Sequence, residues 1–116
     1  MNTEEVTAEY HSRSHAFERL RQEALYIIEQ SLAETEIKLH SISSRVKTLA
    51  SLIGKIERKE YGDPFEEIQD FVGIRIICLF TSDIDRIGGI LRSFLVAFVV
   101  IFITGSLEKK RIRLKV

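Results

Sequence analysis

Residues 71–80, FVGIRIICLF, constrain this chain more than any other stretch. The run is almost wholly apolar and rich in Ile and Val, which predicts a strand buried on both faces. Two charges disturb it: Asp70 stands at its mouth and Arg75 in its middle. A charge inside a buried strand is costly unless it is paired or bound to something. Arg75 therefore either pairs with Glu66, Glu67 or Asp70, or meets a ligand on the sheet face. An acid at a strand end, beside the softened backbone of Gly73, suits Mg²⁺ together with phosphate. Strict alternation sends Asp70 and Arg75 to opposite faces, so a shared site needs a twist or bulge between them.

Upstream, Thr48 is a good N-cap for a helix running to about Lys59. Val46, Leu49, Ile53 and Ile56 recur at helical spacing as its apolar face. Lys47, Ser51, Lys55 and Arg58 fall on the opposite side, three and four residues apart. Donors stacked from the N-terminal end of a helix suit a polyphosphate, because the amide dipole and the ammonium charges act in the same direction. A solvated helix face has the same composition, and the pattern alone does not separate the two. Tyr61-Gly62-Asp63-Pro64 reads as a turn, and Phe65–Gln69 as a single helical turn.

Taken together, two motifs stand in order: R-x-K-T-x-x-S-x-x-x-K-x-x-R-K from Arg45, then E-I-x-D-x-x-G-I-R-I-I-C-x-F-x-S-D-I from Glu67. They resemble the first half of the RelA/SpoT-type (p)ppGpp (alarmone) synthetase domain, in the style of the small single-domain synthetases. The resemblance covers about residues 40–92. It implies an α/β (α+β) fold of the nucleotidyltransferase kind: a small mixed β-sheet with flanking helices and a long N-terminal helix, with the sheet incomplete. It also implies a transferase of the stringent response, a GTP pyrophosphokinase moving pyrophosphate from ATP to the ribose 3′-oxygen of GDP or GTP. Some toxin-like relatives pyrophosphorylate tRNA instead. By resemblance, Arg45 and Arg75 flank the adenine of ATP. Lys47, Ser51 and Lys55 hold its phosphates with Lys59 nearby, and Asp70 carries Mg²⁺.

The rest of the chain bears on what surrounds this core. A length of 116 residues suits one domain, 1–116. Lysine plus arginine and aspartate plus glutamate both number 17, so no global field argues for nucleic acid, although the last eight residues are locally basic. The single cysteine, Cys78, excludes an internal disulfide and a cysteine metal cluster, and reads as an inert core thiol. The acidic start does not resemble a signal peptide, which makes the cytoplasm the expected location. Residues 1–9 are expected to fray. From Tyr10 to Leu39 there is no Gly or Pro, and Phe17, Leu20, Ala24, Ile27 and Ile28 form a stripe. This predicts one long amphipathic helix, with a face for the sheet and another for a second copy or a partner synthetase. His11 and His15 have ligand spacing but no third ligand nearby.

Beyond the central strand, Thr81-Ser82-Asp83 is expected to cap a helix over 83–93, with Ile84, Ile87 and Leu91 inward. Residues 94–103, FLVAFVVIFI, are too few for a membrane span of about twenty residues and read as a buried strand. Arg111–Val116 alternates charged and apolar residues, so a terminal hairpin is expected. The family's G-Y-x-S-x-H and E-x-Q-x-R stretches, which serve the acceptor nucleotide, do not occur. Lys109, Lys110, Arg111 and Arg113 are the only candidates for its basic loop. The expectation is thus a C-terminally truncated domain carrying the ATP half-site, with no catalytic residue identified. A non-catalytic nucleotide-binding or interaction module is the alternative.

Overall fold

The computed structural model of the chain describes residues 1–92, 99–106 and 111–115. Its first element, α1 (Thr3–Ala33), begins where the Asn2 side chain accepts from the Glu5 amide at 2.8 Å. That cap starts the helix well before Tyr10, and Val6 is buried. The segment expected to fray is therefore the first turns of the helix. At the other end Thr35 stops it short of Leu39. Its hydroxyl donates to the Leu32 carbonyl and accepts from the Ile37 amide, turning the chain into an extended strand.

That strand, β1 (Leu39–Val46), was not foreseen from the sequence. The following elements are α2 (Leu49–Arg58), α3 (Pro64–Glu67), β2 (Val72–Cys78), α4 (Asp83–Leu91), β3 (Val99–Gly105) and β4 (Arg111–Lys115). The four strands form one sheet in the order β1-β2-β3-β4. β2 pairs antiparallel with β1 and parallel with β3, and β3 pairs antiparallel with β4. This is the mixed sheet and terminal hairpin expected, with one strand more than the two or three legible in the sequence. The first part of the predicted strand, residues 94–98, lies outside the described residues, as do Lys109 and Lys110.

The two described helices that pack broadly on the sheet, α1 and α4, cover the same face. α1 packs on β1 and β2, and α4 packs on β3 and β4 and against α1. Phe17, Ala24, Ile28 and Leu32 of α1 meet Ile74, Ile76 and Ile101 in a core closed by Ile84, Ile87 and Leu91 of α4. At one end Phe71 is stacked between Phe17 and Phe65, with ring centroids 4.6 and 5.5 Å away. The Arg13 guanidinium lies over Phe65 at 5.0 Å.

Three expectations need correction. The strand β2 is not buried on both faces: its burial alternates, and Arg75 is exposed. Neither α1 nor α4 covers that side, so the exposed arginine needs no buried counter-ion. Next, the fully buried anchor of α2 is Leu52, whereas Leu49, Ile53 and Ile56 are half-buried and Val46 belongs to β1. Lastly, Ser82 is the N-cap of α4 but makes no side-chain cap bond. Thr48 does cap α2, accepting from the Ser51 amide at 3.2 Å, and Asp63 caps α3 through the Phe65 amide at 3.1 Å.

Candidate functional site

Because the side-chain period of a strand is two, the uncovered face collects alternate residues from all four strands. The pairing register sets Ser43, Arg75, Phe102 and Arg113 side by side in one row. Arg45, Gly73 and Val100 form the next row. Arg45 and Arg75 are thus diagonal neighbours on adjacent strands, a relation that separates such residues by about 7–8 Å. This leaves room for a planar group between two guanidiniums. Gly73 lies opposite Arg45, and a Cβ built there would meet the arginine side chain at 3.7 Å.

Asp70 reaches the same side by leaving the strand geometry. Phe71 lies in a bend, and Phe71 and Val72 are both fully buried although they are consecutive. Alternation is therefore broken between Asp70 and β2, which supplies the irregularity that a shared site requires. A cleft of about 660 Å³ results, lined by Ser43, Ser44, Arg45, Lys55, Asp70, Gly73, Ile74, Arg75, Val100, Phe102 and Arg113. Four of those residues are cationic and one is acidic, so the cleft suits an anion.

Asp70 is the most heavily engaged group in the cleft. Lys47 Nζ lies 3.2 Å from Oδ2, and Lys55 Nζ lies 3.1 Å from Oδ1. Burial pushes the carboxyl up, but the hydrogen bonds and charges of Lys55 and Lys47 outweigh it and hold Asp70 below the usual carboxylate range. Lys47 does not sit on α2, where helical spacing had placed it. It follows β1 directly, its amide donates to the Phe71 carbonyl at 2.7 Å, and its carbonyl accepts from the Tyr10 hydroxyl at 2.7 Å. The residue is 5% exposed, the one charged residue in the buried set among the described residues. The ammonium is thereby fixed beneath Asp70.

Of the seven residues marked by sequence, Arg45, Lys55, Asp70 and Arg75 line this cleft, and Lys47 bonds to it from below. Ser51 sits in the first turn of α2 and is not a lining residue. Lys59 is exposed beyond the helix, its ammonium 5.4 Å from the Tyr61 ring centroid. Sequence reasoning missed Phe102 as a site residue and offered Arg113 only as a loop candidate. Guanidiniums of Arg111 and Arg113 lie over the Phe102 ring at 5.7 and 5.5 Å. The Arg-x-Arg alternation of β4 was a visible signal, but only pairing with β3 brings it to Phe102.

Among the described residues no group of three or more His, Cys, Asp or Glu could hold a metal by itself. One carboxylate beside cationic side chains fits Mg²⁺ only in the manner of nucleotide sites, where phosphate oxygens and water complete the octahedron. Cys78 is remote from this chemistry. Its thiol is buried, donates to the Phe80 and Thr104 carbonyls, and is pushed up in pKa by burial.

A family model described as a region found in RelA / SpoT proteins matches residues 44–102, just over half of the chain. The chain belongs to the RelA/SpoT family. The matched region runs from β1 through β3 and so includes the Asp70 carboxylate, both lysines and both facing arginines. A crystal structure of small alarmone synthetase 1 from Bacillus subtilis, bound to AMPCPP, is similar over 95% of this chain, with a TM-score of 0.55 and 21% sequence identity. At that identity the likeness shows the fold. This chain spans 66% of that protein's chain. No curated protein matches the sequence. No helix among the described residues is long and apolar enough to cross a membrane.

Proposed function

We propose that this chain binds ATP with Mg²⁺ on its open sheet face, as the pyrophosphate donor of a (p)ppGpp synthetase acting on GDP or GTP. The observation that carries the reading is the Asp70 carboxylate held between Lys47 and Lys55, beside two diagonal arginines on a bare sheet. Arg45 and Arg75 grip the base by stacking their guanidinium planes on it. Lys47 and Lys55 neutralise the phosphates and orient the chain, with Ser51 contributing its hydroxyl at the helix start and Lys59 lying further out. Asp70 would hold Mg²⁺ together with phosphate oxygens, and the cation supplies neutralisation of phosphoryl charge when bound. Pyrophosphoryl transfer depends on positioning and charge neutralisation, and these residues serve the donor side of both. The G-Y-x-S-x-H and E-x-Q-x-R stretches are not in these 116 residues, so donor binding rather than turnover is what is proposed for them. The bound state of the family member with AMPCPP supports an ATP-shaped ligand.

The test is a calorimetric titration of the folded chain with a non-hydrolysable ATP analogue and Mg²⁺. Saturable binding that Lys47→Ala and Arg75→Ala each abolish is expected. A folded wild-type chain that shows no heat would end the reading. Release of AMP from ATP in the presence of GDP or GTP measures turnover separately.

A second reading, self-association or pairing with another synthetase through α1, is favoured by one observation. Tyr26 is 64% exposed and, with Gln22, Glu23 and Ile27, lines a shallow groove away from the sheet. Sedimentation of the wild type and of Tyr26→Asp checks it: equal masses, both monomeric, would remove it.

A further inference from the structure

The two lysines that mark the cleft as a phosphate site also occupy the only carboxylate among its described lining residues. Each oxygen of Asp70 already faces an ammonium, Oδ1 at 3.1 Å and Oδ2 at 3.2 Å. A divalent cation arriving alone would have to displace at least one of them, and would meet the field of three further cations, Arg45, Arg75 and Arg113, with no second acid among the described lining residues. Lys47 has nowhere to go. Its side chain is 6% exposed, its backbone is fixed at both ends by Phe71 and Tyr10, and Asp70 is its one ion-pair partner among the described residues. Stripped of Asp70, it would be a buried, uncompensated ammonium, which is strongly unfavourable.

A polyphosphate changes this balance. Its oxygens give Lys47 and Lys55 new partners, which frees the oxygens of Asp70, and it brings further hard ligands of its own to the cation. Resting on the ATP reading above, we propose that the Lys47–Asp70–Lys55 clamp makes divalent-cation binding conditional on a bound polyphosphate. Asp70 then has two roles in succession: counter-ion of the lysines in the free protein, and cation ligand in the complex. Coupling between two ligands is reciprocal, so the cation tightens the polyphosphate by the factor that the polyphosphate tightens the cation.

The clamp has a consequence that a simple acidic metal site would lack. Neutralising Asp70 removes the carboxylate that competes with phosphate for the two lysines. Asp70→Asn should therefore bind the metal-free analogue more tightly than the wild type, and should lose the gain that Mg²⁺ confers. Lys55→Ala uncovers one carboxylate oxygen while leaving the buried lysine paired, and should let Mg²⁺ bind without any nucleotide.

Calorimetry on the whole chain tests this with three probes: Mg²⁺ alone, the non-hydrolysable ATP analogue in EDTA, and the two together. Inorganic tripolyphosphate replaces the analogue in a parallel series, to separate phosphate recognition from base recognition. For the wild type we expect no saturable heat from Mg²⁺ alone, weak binding of the metal-free analogue, and a gain of about tenfold or more with both, within the usual range of coupling between ligands. Saturation of the wild type by Mg²⁺ alone would overturn the proposal, as would weaker metal-free binding by a folded Asp70→Asn. Either result leaves ATP binding standing. A folded wild type that binds neither the analogue nor tripolyphosphate, with or without Mg²⁺, overturns this proposal and the ATP reading together. Lys55→Ala supplies the decision if Asp70→Asn fails to fold: nucleotide-free Mg²⁺ binding supports the clamp, and its absence opposes it.

Discussion

The two faces of the sheet are built from the same four strands and obey opposite rules. On the covered face, Ile74, Ile76, Ile101 and Ile103 disappear beneath α1 and α4, and Arg21 of α1 reaches only its edge strand, donating to Ser44 at 2.8 Å. On the bare face, Arg45, Arg75 and Arg113 stand in register with Gly73, Val100 and Phe102, and Arg111 with Thr104. Stability is concentrated where water is excluded, and chemistry where charge can remain solvated until a ligand arrives. The comparison teaches that Arg75 is neither an anomaly nor a buried ion pair. It is the outward residue of a strand whose inward residues make the core.

The largest test of that contrast is Phe71→Ala. It removes the middle ring of the Phe17–Phe71–Phe65 stack and leaves a cavity under the covered face. A loss of about 3–5 kcal/mol in chemical denaturation is expected, and a loss below 1 kcal/mol would mean that the stack does not anchor the core. Gly105→Ala probes the seam where β3 ends. A Cβ there would lie 2.8 Å from Thr81 Oγ1 and 3.4 Å from Thr81 backbone atoms, so something must shift. The expected cost is about 1–3 kcal/mol, read from the same denaturation curves.

Smaller, and dependent on pH, is the contribution of Asp70. Its folded carboxyl lies below the ordinary range, so the unfolded chain binds the proton more readily. The resulting stability is present above the unfolded pKa and is lost as pH falls through the folded one. Lys55→Ala removes one of the groups that hold the carboxyl down, so carboxyl titration followed by NMR should move to higher pH and acid unfolding should begin earlier. An unchanged titration would mean that Lys47 alone sets it. Smallest in stability should be Arg75→Ala, within about 0.5 kcal/mol because the side chain is exposed. The same variant should nevertheless lose nucleotide binding. A large stability loss would return Arg75 to a structural role and erase the difference between the faces.

Legibility in the sequence followed the same division. The helices α2 and α4 were readable from periodicity, and α2 from its Thr48 cap as well, because those signals act within a few residues. The carboxylate, the lysines and the two arginines were likewise marked by their spacing and by the family motif. β1 was not readable. LHSISSRV carries three serines and a histidine, and at the edge of the sheet its burial never exceeds intermediate. Only the ladder with β2 makes it a strand. Ser51 and Lys59 shared the helical spacing of Lys55, yet neither lines the cleft, since spacing along a helix does not say how the helix is rotated against the sheet.

By itself the sequence determined the kinds of element, the apolar stripe of α1, the strand with a charge at its mouth, and membership of the RelA/SpoT family. Those follow from local propensity and from residue order. Tertiary structure decided which face of β2 stays bare, how Lys47 is buried against Asp70, and that Phe102 and Arg113 join the cleft. Each of these depends on pairing between strands far apart in the chain and on a bend at Phe71 that breaks alternation. No local pattern encodes such relations, because the energy that selects them comes from contacts that exist only once the sheet has closed.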